Sequence, residues 1–261
     1  MTSPDDYEPL QENPQLPETI NAPKVSIVHE LWLLSAGVLA TFLLLAVMVW
    51  LSLGWLAQFI PLSWEDRLIQ PVAQSWQTDA TEQAQLQQRI DQLLVRSEYS
   101  DLSVQVHILS SSELNAFATL GGQIFVTEGL LSALESEVGL DFVLLHELAH
   151  LVHRDPIRAA ASQLGVRLLT ALAIGQSDLG APTAWLQSTE LLLSRHYSRE
   201  QEIRADDFAF TMLQRVYGDV EGYDEFFVTL LEQGDTDRFP AFLSTHPHTQ
   251  YRLDRLRQRL D

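Results

Sequence analysis

From Leu31 to Leu53 the chain reads LWLLSAGVLATFLLLAVMVWLSL, without one charged side chain, and the uncharged run continues to Trp64. At 1.5 Å per residue, about 20 apolar residues cross a hydrocarbon layer of roughly 30 Å. The sequence therefore predicts one membrane-spanning helix, over residues 28–56, with lipid as its surroundings. Trp32, Trp50, Trp55 and Trp64 lie near its two ends, where interfacial aromatics belong. A cleaved signal peptide fits poorly, because the run is too long, starts about 30 residues into the chain and lacks a small-residue cleavage site.

The flanks differ from the span. Residues 1–27 carry Pro4, Pro9, Pro14, Pro17 and Pro23 among acidic and amide side chains, the composition of a disordered acidic tail. Sixteen basic against 35 acidic residues give a net charge of −19, which repels phosphate backbones, so nucleic acid is not an expected partner. The absence of cysteine excludes disulfides and thiolate metal sites and leaves either redox compartment open. Lys24 and Arg67 are the basic residues nearest the span, so charge hardly fixes orientation. A short tail before a signal-anchor-like helix commonly stays inside. The expected arrangement is a single-pass membrane protein with its C-terminal domain on the extracytoplasmic side.

Residues 57–97 show a helical period at Ile90, Leu93 and Leu94, broken by Pro71 and by turn signals from Thr78 to Thr81, and are expected to form a helical stalk. The remaining residues, 98–261, suffice for one globular domain. Alternating, β-branched LSVQVHIL (Leu102 to Leu109) predicts a strand, and GGQIFVTEG (Gly121 to Gly129) a second one between glycine turns. After Glu128 the periodicity is helical, so the class is α+β and mostly helical. Ala159 to Gly175 is apolar but short, with Arg167 near its middle, which predicts a core or membrane-surface helix.

In VLLHELAHLVHRD, His146 and His150 stand four apart, on one helical face and one turn apart, so both can reach a single metal ion. Unpaired, two imidazoles and a carboxylate would be costly among leucines. Zinc takes neutral imidazole readily, and one Zn2+ per chain is expected. Glu147 sits where it can take a proton from water at the metal, as a general base. A third ligand is needed. SREQEIRADDFAF (Ser198 to Phe210) offers Glu200 and Glu202, about 200° apart around a helix, so only one of them can face the metal. Glu202 shares a face with Asp206, a second carboxylate able to orient a ligand histidine. Glu200 is the alternative, or a surface partner of Arg204. His153 lies a turn beyond the motif, and His29, His107, His196 and His248 have no constellation around them.

HELAH, SREQEIRAD, STHPHTQYRLDRL and LNAFATLGGQIFVTEGLL together resemble, in order and spacing, the gluzincin metallopeptidases that include the CAAX prenyl protease, the bacterial heat-shock membrane protease and the mitochondrial inner-membrane metalloprotease. The resemblance covers roughly residues 98–261. It implies a zincin-like domain with a small edge sheet, Glu202 as third zinc ligand and Asp206 as its partner. It also implies that Gln123, Ile124, Phe125 and Val126 form an edge strand that takes the substrate as an added strand. His246 matches a position near the active site, where it would steady the oxyanion or fill the open zinc position at rest. Arg252 matches an arginine of structural role. Leu120 stands where that family often has proline, Arg204 replaces a frequent acidic residue, and the multi-span topology of some members is absent.

The expected function is a membrane-anchored zinc endopeptidase that hydrolyses membrane or envelope proteins, often misfolded, in protein quality control. A noncatalytic metal-binding module that holds unfolded polypeptides or regulates an assembly is the alternative. A metallohydrolase acting on another bond has less support, because an edge strand suits a polypeptide.

Overall fold

The computed structural model describes residues 26–73, 80–173, 197–234, 242, 246–247 and 249–260. The expected tail, apart from residues 26 and 27, and His196 and His248 lie outside them. The chain divides into two compact units, residues 1–48 and 49–261. Helix α1 (Ile27–Ala57) begins in the first unit, where nearly every described side chain is exposed. Its 31 residues extend about 46 Å. Among the described residues it alone is long and apolar enough to cross a membrane.

The second unit holds α2 (Leu62–Ala73), α3 (Ala80–Val95), β1 (Gln105–Leu109), β2 (Ala116–Ala118), β3 (Gln123–Thr127), α4 (Glu128–Ala133), α5 (Glu137–Val152), α6 (Asp155–Ala173), α7 (Arg199–Tyr217), α8 (Glu225–Gly234) and α9 (Thr249–Arg257). Helix α5 is the centre of the unit. From Phe142 to Leu151 every residue is buried, and an all-round apolar helix is what a core position requires. Its start is fixed twice: the Ser136 hydroxyl accepts from the N–H groups of Val138 and Gly139, and the Glu225 carboxylate accepts from those of Glu135 and Ser136. Helix α3, inside the segment expected to be a stalk, packs Leu86, Ile90, Leu93 and Leu94 into the same core as Phe142 and Leu145. Helix α6 is half-buried, with Arg167 exposed, and is not among the candidate membrane spans.

The sheet has the order β1-β3-β2. β3 pairs parallel with β1, Val106 opposite Ile124, and antiparallel with β2, Phe117 opposite Phe125. This corrects one expectation: Gln123 to Val126 is the central strand, with both of its sides occupied, and β2 is the outer strand on the α5 side. Only three residues of Ala-Phe-Ala form β2, and they lack the β-branched signal by which the longer strands announce themselves.

A tight turn at Leu120–Gly122 joins β2 to β3, with Gly121 at φ 71° and Gly122 at φ 77°. A Cβ on Gly122 would lie 2.3 Å from the Ser103 carbonyl oxygen, whereas one on Gly218, at φ 76°, would meet nothing within 4 Å. Both positions favour glycine, and only the first is also closed by neighbours. Gly218→Ala is expected to cost about 1–3 kcal/mol, because φ 76° with ψ −54° is a sparsely populated backbone region for L residues. Gly122→Ala should cost clearly more. Thermal or urea unfolding of the two variants side by side checks the order.

Candidate metal centre

Helix α5 presents His146 and His150, and α7 crosses it with Glu202 and Asp206 on its buried face. That face reads Glu202, Ala205, Asp206, Ala209, Phe210 and Leu213, a helical stripe with two carboxylates at its start. A capping box of Ser198 and Gln201 starts α7. Glu200 is exposed, whereas Glu202 is buried and belongs to one group with His146 and His150.

The imidazoles are held from behind. His146 Nδ1 lies 3.1 Å from Asp206 Oδ1, and His150 Nδ1 lies 3.0 Å from Asp155 Oδ2. With Nδ1 of each ring turned to a carboxylate, the two Nε2 atoms converge to 3.2 Å. Two donors on one tetrahedral ion at about 2.0–2.1 Å would stand roughly 3.3 Å apart. Glu202 Oε2 lies 3.5 Å from His146 Nε2, and Oε1 lies 3.5 Å from His150 Nε2. His246 completes a buried group of four, each with a ligand atom within 4.8 Å of the others. Its Nδ1 is 3.0 Å from Glu202 Oε1 and 3.4 Å from His146 Nε2.

Glu147 points to the same place from the other side. Its Oε2 accepts the Ala118 N–H of β2 at 2.7 Å. Its Oε1, buried, has no hydrogen-bond partner and faces His246 Nε2, equally without one, at 3.6 Å. Thr119 N–H bonds the Gln123 carbonyl and Thr127 N–H the Asn115 carbonyl, so by alternation the backbone groups of Ala116 and Ala118 turn away from β3. The Glu147 carboxylate therefore touches the outer side of β2.

Two residues central to this arrangement had no spacing in the sequence to link them to it, and only the resemblance marked Arg252. Arg252, 1% exposed, places Nη1 2.6 Å from Glu202 Oε2 and forks onto Asp206 at 2.6 and 2.8 Å. Asp155, fully buried, holds His150 and accepts from Gln201 Nε2 at 2.8 Å. Its one sequence mark, the Asp-Pro pair that opens α6 five residues after His150, reads as a helix start only. Tyr197 stacks on His150 at 4.0 Å, and Phe242 on His246 at 4.1 Å. His153, partly buried, lies outside the group of four.

The electrostatics favour a cation. Burial opposes a charge on His150, but the Asp155 and Glu202 carboxylates outweigh it and push the imidazole up to about 9. His146 is likewise raised against burial by Asp206 and Glu202. Burial opposes ionisation of Glu202, yet His246 and Arg252 hold it well below the usual carboxylate range. Asp206 is lowered against burial by Arg252, whereas burial itself lowers His246. Carboxylates that raise the proton affinity of two imidazoles also favour a divalent ion in the proton's place. Two imidazoles, one carboxylate and buried polar atoms without partners fit zinc.

An H-E-x-x-H helix crossed by a carboxylate-bearing helix defines the class as a metallopeptidase. The model of peptidase family M48 matches residues 80–260, and the chain belongs to that family. Among its relatives, the mitochondrial metalloendopeptidase OMA1 of Schizosaccharomyces pombe is 30% identical over 171 residues, which is 65% of this chain and 50% of that protein. The human mitochondrial metalloendopeptidase OMA1 is 31% identical over 171 residues, 60% of this chain and 32% of that one. The beta-barrel assembly-enhancing protease of Escherichia coli K12 is 32% identical over 165 residues, 58% and 33%. The chain spans about a third to a half of the length of these relatives.

Asp155→Asn is expected to weaken zinc binding about 10–100-fold, because His150 loses the carboxylate that orients it. Competition against a chromophoric chelator measures this. Arg252→Met should destabilise the fold by about 3–5 kcal/mol by leaving two buried carboxylates without their counter-charge. Denaturant unfolding checks that value.

Proposed function

We propose that the protein is a zinc endopeptidase anchored to a membrane by α1, with His146, His150 and Glu202 as the zinc ligands and Glu147 as the general base. The observation that carries this reading is the pair of tasks given to the Glu147 carboxylate. One oxygen is bonded to β2, and the other faces the cluster of ligand atoms without a hydrogen-bond partner.

Zinc held there supplies a Lewis acid that polarises water and the scissile carbonyl. The rest falls to the chain. An extended substrate laid along the outer side of β2 has its carbonyl carbon close to Glu147, and backbone pairing gives affinity with little dependence on sequence. Glu147 Oε1 takes the proton of the attacking water and delivers it to the departing amine, while the Ala118 N–H keeps the carboxylate in place. His150 and His146 are held in one orientation by Asp155 and Asp206. The substrate strand assigned earlier to Gln123–Val126 thus moves to Ala116–Ala118.

His246 fits the role of a group that closes the fourth position at rest, since its Nδ1 lies among the ligand atoms. The relatives named as metalloendopeptidases and as a beta-barrel assembly-enhancing protease support polypeptide substrates of membranes or envelopes. Placement of the catalytic domain on the extracytoplasmic side is tested by a C-terminal reporter that is active only outside the cytoplasm.

Glu147→Gln should retain zinc and lose about 10²–10⁴-fold in cleavage of an unfolded protein, relative to the detergent-purified parent at matched zinc content. Equal cleavage by the two would overturn Glu147 as the base. Absence of cleavage from both, each holding zinc, would leave a closed site or a polypeptide-holding module, and His246→Ala separates these by gaining cleavage only in the first case.

A further inference from the structure

Helix α2 carries a glutamate, Glu65, that is only 2% exposed, next to Trp64 at 63%. A helix whose sole task was to cover the sheet would bury an apolar side chain at that position, because a carboxylate is costly there unless it is paired. Both oxygens of Glu65 have partners of consequence. Oε1 pairs with Arg154 Nη2, and Oε2 accepts the Gly121 N–H at 3.1 Å.

Each partner leads to the metal centre within a few bonds. Arg154 follows α5 and is the single described non-glycine residue with positive φ, at 62°. Its neighbour Asp155 holds His150 at 3.0 Å. Arg154 is thus kept in an unfavourable backbone region, at the corner that sets the Asp155 carboxylate, by a side chain fastened to α2. Gly121 belongs to the turn between β2 and β3. A Cβ there would lie 2.5 Å from Asp66 Cα, so α2 and the turn are in direct backbone contact. Gln123 Nε2 adds a bond to Asp66 Oδ1 at 3.2 Å. On the far side of the turn, the Ala118 N–H holds Glu147.

We propose that Glu65 is a positioning residue of the catalytic centre: it sets His150 through Arg154 and Asp155, and Glu147 through Gly121 and β2. The proposal rests on the metallopeptidase reading above and adds to it a residue outside the segments that carry the motif. It also gives α2 a task. Residues 58–61 join α2 to the end of α1, and Arg154 Nη2 donates to the Ile60 carbonyl in that link, so one guanidinium fastens the link, α2 and the corner after α5.

The test uses the 261-residue chain in detergent, loaded with zinc for kinetics and with Co2+ alone for visible spectroscopy. In Glu65→Ala the cobalt d–d bands should shift from those of the parent. Its kcat on an unfolded protein should fall about 10-fold or more with KM nearly unchanged, as when a ligand histidine loses its orienting partner. Glu65→Asp, which keeps the charge and an acceptor oxygen for each partner on a shorter arm, should bring the bands and kcat back toward the parent's. Should Glu65→Ala fail to fold, Arg154→Gly, comfortable at positive φ, removes the same tie and carries the same expectation. A lower melting temperature with parental cobalt bands and parental kcat per loaded chain would overturn the proposal, since that is what a merely structural role predicts. Shifted bands in a protein that cleaves neither as the parent nor as His246→Ala would sustain the positioning role and sink the peptidase reading. Unshifted bands with a cleaving parent would do the reverse.

Discussion

The fold around the metal centre depends on one buried guanidinium. Glu202 and Asp206 are both withdrawn from water on α7, and two carboxylates side by side in the interior would each face a desolvation penalty of several kcal/mol. Arg252 meets both at 2.6 Å, brought there by a nine-residue helix near the end of the chain. With that counter-charge in place Asp206 can turn its Oδ1 to His146, and Glu202 can turn its oxygens to the ligand nitrogens. Helices α5, α7 and α9 are therefore tied together by charge as much as by the apolar core, and the metal site is part of what holds them.

The parts of this arrangement that were legible in the sequence are those whose spacing is local. His146, Glu147 and His150 read directly from a four-residue interval on a helix; Glu202 shares such an interval with Asp206, but that interval left Glu200 open, and only the resemblance chose between the two glutamates. Arg252 stands 46 residues after Asp206, so no periodicity links them, and only the resemblance marked it. Asp155 escaped because an aspartate before proline reads as an ordinary helix start, and its bond to His150 depends on the left-handed turn at Arg154. The sheet misled for a similar reason. Three small or aromatic residues gave no strand signal at β2, which left β3 as the apparent edge, whereas pairing on both sides makes it the centre. The amphipathic period of α3 was visible, but not the surface it covers; Leu86, Ile90, Leu93 and Leu94 belong to the domain core.

The division of labour within Glu147 links fold to chemistry. A carboxylate with two free oxygens could rotate away from a substrate. Here β2 holds one of them through the Ala118 N–H, so the strand proposed to pair with the substrate and the group proposed to move its proton are set by a single hydrogen bond. The same economy applies to the imidazoles, in which each Nδ1 is occupied by a carboxylate and each Nε2 is left to face the other members of the buried group of four.

X-ray absorption at the zinc edge, recorded on the zinc-loaded 261-residue chain in detergent, tests the central claim most directly. The account predicts a compact shell of nitrogen and oxygen donors, without sulfur, that carries imidazole back-scattering and weakens when His150 is replaced by alanine. An oxygen-only shell without imidazole features, unchanged in His150→Ala, would contradict it, for zinc would then be held on the acidic surface and not between α5 and α7.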